Sequence, residues 1–317
     1  MHRRHLLLAT LGAAAARPAF ATAVPGDIRM IVPFAAGGAT DLLARRLQAP
    51  LEPHGVKLVV ENATGGGSMV GMSKLLASRA DGRTLGMASQ GLIAQIAYGE
   101  IPLRLDQFTP LARVAIDPLV LLTGANSRFR TLDDVITAMR APGGGPSIGA
   151  AGPVGTLGNL RALALAQEVK GEMTYIGYPG ASRVANELIG GHLDLGVAKP
   201  NDVFGQIRSG QIRVLAVLDD VGIKQLPEVP TATSRGIDIH RFGRMTAMTY
   251  VAAPAGLDAA MREALVTTLR AAILSPDYQA KADSDGYIAD ALSGPALEAA
   301  IAETFAAAQA AQARARG

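Results

Sequence analysis

The stretch IVPFAAGGATDLLARRL, Ile31 to Leu47, decides the fold. An apolar run ends at Phe34, a flexible Ala-Ala-Gly-Gly turn follows, and an amphipathic segment starts at once. A buried strand leading straight into a helix opens a parallel α/β unit. Such a junction also exposes backbone amides, because the first N–H groups of a helix have no intrahelical partner. Glycine lets another molecule approach them without a Cβ in the way, and the helix dipole favours an anion. Phe34, Ala36, Gly38, Thr40 and Asp41 are therefore candidate binding residues. The competing reading is a glycine turn with Thr40 as N-cap and Asp41 favouring the dipole. The Asp41 carboxylate would repel an anion unless it faces the helix amides, a water or a ligand ammonium. No Lys-Ser or Lys-Thr follows the glycines, so this is not a Walker-type phosphate loop.

The same alternation continues along the chain. Strands are expected at 28–33, 57–61 and 84–88, with helices over 40–51 and 69–80 between them. Further strands are expected at 119–123, 147–151, 173–176, 193–198, 212–217 and 245–256. The helices there are 131–140, opened by a Thr131 cap, then 156–169, 182–189 and 202–209. An irregular segment spans 227–243, and the tail is helical over 257–274, 276–283 and 295–313. This order implies two α/β lobes joined by two crossing strands, near 119–123 and 248–253, with a ligand cleft at the carboxyl ends of the strands.

Three more junctions repeat the opening device. Ser89 and Gln90 end one strand, Gly155 and Thr156 precede a helix, and Tyr178, Gly180 and Ser182 precede another. Together they make a cleft lined with amides and hydroxyls, a binding site more than a reaction centre. Lys199, at the end of strand 193–198, is placed to meet a ligand carboxylate, and Asp202 stands beside it. Gly65-x-Gly67 followed by Gly71 imitates a dinucleotide fingerprint, but its spacing is imperfect and no acidic residue ends the next strand, so no cofactor is expected.

Bulk properties exclude several other classes. The 317 residues exceed one small core, which favours two domains. The formal charge of +3 includes Arg3, Arg4 and Arg17 of a removable N-terminus; without them 27 basic residues balance 27 acidic ones. That near-neutral chain does not want nucleic acid as a partner. MHRRHLLLATLGAAAARPAFATA, residues 1–23, carries a basic start, an apolar run and small residues before a cleavage site, the pattern of an export signal. Its Arg3-Arg4 pair leaves both the general secretory and the twin-arginine routes open, and the destination is the periplasm. The absence of cysteine removes disulfides and thiolate chemistry. His54, His192 and His240 are scattered without metal-ligand spacing, so no metal is expected. A general base within the cleft would have to be Asp41 or Asp202.

In this order the segments resemble the Bug family, the exported solute receptors of tripartite tricarboxylate transporters. The resemblance rests on IRMIVPFAAGGATDLLARRL, VVENATGGGSMVGMSKLLASRADGRTL, NELIGGHLDLGVA, SGQIRVLAV, LPEVPTATSRGI and APAG, and covers most of the mature chain. It implies a two-lobed type II periplasmic-binding-protein fold, with lobe 1 formed by 24–121 and 250–317 and lobe 2 by 122–249. It also implies a small organic carboxylate gripped by loop amides, hydroxyls and waters, and delivery to membrane permease subunits by a monomeric receptor. By resemblance Gly38, Thr40, Asp41, Ser89 and Gln90 belong to the first lobe's side of the site. Gly155, Thr156, Tyr178, Gly180 and Ser182 belong to the second's. The chain departs from the family at Ile176-Gly177-Tyr178-Pro179-Gly180, which lacks a lysine, at Ala150, at the longer loop through Pro153-Val154, at Asn159, and in having no tryptophan. The expected function is periplasmic capture by hinge closure. A ligand-sensing partner of a membrane signalling protein, and a secreted enzyme acting on carboxylates, are the alternatives.

Overall fold

The computed structural model describes residue 24, residues 26–152 and residues 154–316. The export signal expected over 1–23 lies outside the described residues. The first part of the chain runs β1 (Asp27–Val32), α1 (Ala39–Arg46), α2 (Gln48–Leu51), β2 (Lys57–Asn62), α3 (Met69–Leu76), β3 (Thr84–Ser89), α4 (Gln90–Tyr98) and β4 (Phe108–Ile116). The middle runs β5 (Val120–Gly124), α5 (Leu132–Arg140), β6 (Ser147–Ala151), α6 (Leu157–Glu168), β7 (Thr174–Tyr178), α7 (Ala181–Ile189), β8 (Leu195–Ala198), α8 (Pro200–Arg208) and β9 (Ile212–Val217). After the expected irregular stretch come β10 (Met248–Pro254), α9 (Ala259–Ile273), α10 (Pro276–Asp285) and α11 (Gly294–Arg316).

Two five-stranded sheets result, ordered β2-β1-β3-β10-β4 and β7-β6-β8-β5-β9. In the first, β1 is parallel to β2 and β3, while β10 is antiparallel to β3 and β4. In the second, β6 is parallel to β7 and β8, while β5 is antiparallel to β8 and β9. The central strands of each sheet are buried on both faces. Along β1, Ile28, Met30 and Val32 pack with Leu43 and Leu47 on one side, while Ile31 packs with Met72 and Leu75 on the other. Along β5, Leu121 and Val120 likewise enter separate clusters on opposite faces.

The fold is the expected two-lobed one, with a shift at the crossing points. β5 pairs only within the second sheet and β10 only within the first, so neither strand itself spans the lobes. The chain crosses at residues 117–119 and returns through 218–247. The Asp117 N–H donates to the Ala247 carbonyl at 2.8 Å, and the Leu218 N–H to the Leu119 carbonyl at 2.7 Å. The return segment is pinned by Arg161 of α6, which is nearly fully buried and donates to the carbonyls of Ile239 and Met245 at 2.5 and 2.9 Å. Beside the hinge a small apolar cluster joins Ala94, Leu160, Met245 and Ala308, which come from both lobes and the return segment. Helix α4 and strand β4 are the elements to which the sequence reading assigns no range.

Candidate functional site

Strand direction places the site. Six helices follow the carboxyl ends of mutually parallel strands: α1, α3 and α4 after β1, β2 and β3, and α6, α7 and α8 after β6, β7 and β8. All six start without a side-chain hydrogen bond from the N-cap residue. By contrast α5, α9 and α10, which follow antiparallel strands or another helix, are capped by Thr131, Asp258 and Ser275. The Thr131 cap is the one expected from the sequence, with Asp134 completing a capping box. Side-chain capping is thus withheld at one end of both sheets; the Val70, Arg183 and Asp202 N–H groups donate to the Gly65, Gly180 and Lys199 carbonyls, and the remaining first-turn amides are left for another acceptor.

A cavity of about 210 Å³ opens among these helix starts. Gln90 of α4 lines it from the first lobe, Thr156, Leu157 and Gly158 from the start of α6, Ala181 from α7, and Lys199 and Asp202 from the start of α8. Leu119 and Ala247 put the hinge in its floor. Of the residues expected from the sequence, the cavity gathers Gln90, Thr156, Lys199 and Asp202. Ala39 and Leu42 of α1 instead line a neighbouring groove of about 320 Å³, shared with Asp202, Phe204 and Arg208 of α8 and with Asp285.

The opening junction is built differently from its sequence reading. α1 begins at Ala39, so Gly38 and not Thr40 is the N-cap. Asp41 is 1 % exposed, and it caps no helix amide. Its carboxylate accepts from the Gly37 N–H (2.8 Å), from Arg45 Nε (2.8 Å) and from Asn62 Nδ2 (2.9 Å). Burial alone would raise its pKa, but the donors from Arg45, Gly37 and Asn62 pull it down to about 2. Asp41 holds the glycine loop in shape; the reason is local, since Arg45 lies one helical turn on and Asn62 ends the adjacent strand. Asn62 also donates to the Phe34 carbonyl at 3.0 Å, and the Phe34 ring packs on the first lobe's core. Ala36 is exposed and Thr40 half-buried.

Across the cleft, the Gly155 N–H donates to Asn159 Oδ1 at 2.9 Å, while its carbonyl accepts from the Tyr98 hydroxyl of the first lobe at 3.0 Å. Tyr178 ends β7 with its ring against Gly149, where an added Cβ would lie 2.7 Å from the ring, so the ring covers the sheet and does not line the cavity. Gly180 is the N-cap of α7 with φ −178°, and a Cβ there would meet nothing within 4 Å. Neither backbone nor packing demands glycine at 180. The hydroxyls of Thr40, Ser89 and Ser182 make no hydrogen bond among the described residues.

Lys199 does not point an unengaged ammonium at a ligand. Its Nζ lies 3.1 Å from Asp117 Oδ2, and Asn201 Nδ2 donates to Asp117 Oδ1 at 3.2 Å. Burial opposes the lysine's charge, but the Asp117 carboxylate outweighs it and raises the ammonium's pKa. The sequence reading missed Asp117, 3 % exposed in the hinge. The signal was there: Asp117-Pro118 is the one polar interruption in an apolar run from Val114 to Leu122.

The glycines resembling a dinucleotide fingerprint also have a local cause. A Cβ on Gly71 would lie 2.8 Å from Pro33 and from the Ala63 carbonyl, so this glycine brings α3 against β1. Elsewhere Asp219, Asp220 and His240 bring potential metal-ligand atoms within 4.8 Å of one another. Arg244 Nη1 pairs with Asp220 Oδ2 at 2.5 Å, and Arg161 Nη1 sits 2.9 Å from His240 Nδ1. Two guanidinium groups beside the cluster make it an ion-pair network fastening the return segment to α6.

Comparison with known proteins agrees with this architecture. A family model described as tripartite tricarboxylate transporter family receptor matches residues 43–309. Protein BugT of Bordetella pertussis is 32% identical over 239 residues, covering 73% of this chain and 72% of that protein. A TctC solute binding protein from Polaromonas, solved without ligand, superposes with a TM-score of 0.78 at 24% identity, covering 91% of this chain and 98% of its own. An R. palustris protein solved with adipate superposes with a TM-score of 0.72 at 25% identity, covering 90% of this chain and 97% of its own.

Proposed function

This chain belongs to the tripartite tricarboxylate transporter receptor family, a family of solute-binding receptors and not of enzymes, and from that premise we propose that its cleft captures a small organic carboxylate. The observation that carries the proposal is the absence of side-chain caps at the starts of α4, α6, α7 and α8, which line the cavity, against their presence at α5, α9 and α10. Free N–H groups at a helix start attract an anion through both hydrogen bonds and the dipole. The adipate seen in the R. palustris relative is a ligand of that chemistry.

On this reading Gly38, Thr40, Ser89 and Gln90 offer the first lobe's contacts, and Gly155, Thr156, Gly180 and Ser182 the second's, while Lys199 stays paired with Asp117. Phe34, Ala36 and Asp41 shape the first loop, and Tyr178 sets the level of the second. The lobes, 24–121 with 250–317 and 122–249 to within a few residues at each boundary, close about the segments 117–119 and 245–247. A ligand touched by one lobe in the open form and by both in the closed form drives closure through that difference. The filled receptor, a monomer exported to the periplasm by the segment 1–23, then delivers its ligand to membrane permease subunits.

A thermal-shift screen of the chain from residue 24, refolded to strip carried-over ligand, tests the reading. A ligand that binds only the folded state raises Tm by an amount that grows with its concentration over Kd. At least one small carboxylate should do so; silence toward mono-, di-, tricarboxylates and amino acids in a folded sample would overturn the proposal.

A further inference from the structure

The cleft's charges are unequal in a way that bears on which carboxylate it takes. Among the described residues, Lys199 and Asp202 are the only charged side chains lining the cavity. Lys199 is already engaged by Asp117, whose second oxygen is taken by Asn201. Asp202 is the charge left without a partner of its own, since no described hydrogen bond or ion pair uses its carboxylate. It lies where the cavity meets the groove beside α1. Its own surface is solvent-accessible, yet the surrounding walls displace enough bulk water to push its pKa up; Lys199 opposes the rise and Asp117 adds to it.

The same cavity contains the uncapped starts of α6 and α7, at Thr156–Gly158 and at Ala181. One part of the second lobe's lining therefore suits an anion and another part a cation. A dicarboxylate held by the amides would turn its second charge toward Asp202, with the lysine's charge already spent on Asp117. We propose that this cleft is built for a compact zwitterion, its carboxylate on the amides of α6 and α7 and its ammonium on Asp202. The inference rests on the receptor reading above and narrows it to a ligand class. Asp202 is then the residue that sets specificity, and Asp117 a positioning residue that keeps Lys199 from reversing the preference.

Calorimetric titration of the wild type and of Asp202→Asn with matched acids tests this. Each pair exchanges an ammonium for a carboxylate on one skeleton: alanine and methylmalonate, β-alanine and succinate, 4-aminobutyrate and glutarate. Propionate and butyrate serve as acids with an uncharged end. At least one amino acid should bind the wild type more tightly than its diacid, and Asp202→Asn should weaken it about ten- to a hundredfold, the cost of a hydrogen bond to a charged group. The diacid's affinity should rise in the variant. Asp202 also lies in the first turn of α8, so the variant's Tm will drop somewhat, but a purely structural loss leaves the ratio within each pair unchanged. Wild-type protein that prefers diacids or the uncharged-ended acids, or an unchanged ratio in the variant, overturns this inference and leaves the receptor reading standing. Silence toward every acid overturns both.

Discussion

Replacing Asp41 by Asn tests whether its carboxylate is a structural brace of the glycine loop. The carboxyl's pKa falls from 3.8 to about 2, because donors from Arg45, Gly37 and Asn62 outweigh burial. A fall from 3.8 to about 2 corresponds to roughly 2.5 kcal/mol of folding stability before solvent screening. Arg45 is 44 % exposed, so solvent screening reduces this to about 1–1.5 kcal/mol. Asparagine adds a second loss. Its oxygen can still accept from Gly37 and Arg45, but its NH2 then faces the Asn62 Nδ2 donor, which costs about 1 kcal/mol more. Asp41→Asn should therefore lose about 2–3 kcal/mol at pH 7 in urea unfolding. The pH dependence has a fixed sign. The folded pKa is depressed, so the contribution is complete above 3.8 and fades as pH falls from 3.8 toward 2. Wild type and variant should converge over that window. Equal stability at pH 7, or a gap as wide at pH 2 as at pH 7, would refute the reasoning.

Other perturbations probe the hinge and the cleft. Tyr98→Phe removes the hydrogen bond to the Gly155 carbonyl that joins the lobes, which should shift the open–closed balance by about 1 kcal/mol; small-angle scattering should show a larger unliganded radius. Gly180→Ser supplies a missing cap to α7 where a Cβ meets nothing, so stability should rise by a few tenths of a kcal/mol while ligand affinity falls. An affinity that stays level would remove Gly180 from the site. Asp117→Asn strips the partner from Lys199, whose side chain is 37 % exposed, and about 1–3 kcal/mol should be lost in denaturant melts. Leu121→Ala, at a fully buried position in the second sheet, should cost about 2–5 kcal/mol.

How much of this was legible before folding depends on distance along the chain. Alternating apolar runs and glycine turns at 31–47, 57–71 and 147–157 announce strand–helix units, because each needs only neighbours a few residues apart. Strand β9 lies at 212–217 as read, and the Thr131 cap is also where the sequence puts it. The ordered motifs identify the family for the same reason: each is a short local pattern. Strand β4 escaped assignment because its pattern, FTPLARVAI, carries a proline and an arginine. Arg113 is tolerated there because Asp290, far off in sequence, pairs with it.

The sequence by itself determined the fold class, the junctions that could bind, and the absence of thiol chemistry, since all of these follow from composition and local period. Tertiary structure alone decided which junctions share a cavity. It brought Lys199 to Asp117, 82 residues away, and so turned a candidate ligand contact into half of an ion pair. It joined Asp41 of α1 to Asn62 at the end of β2 and made a candidate ligand contact into a brace. The physical reason is the same in both places. A charged side chain acts through whatever opposite charge or donor packs within about 3 Å of it, and that neighbour is chosen by how the sheets and hinge pack, which no local pattern records.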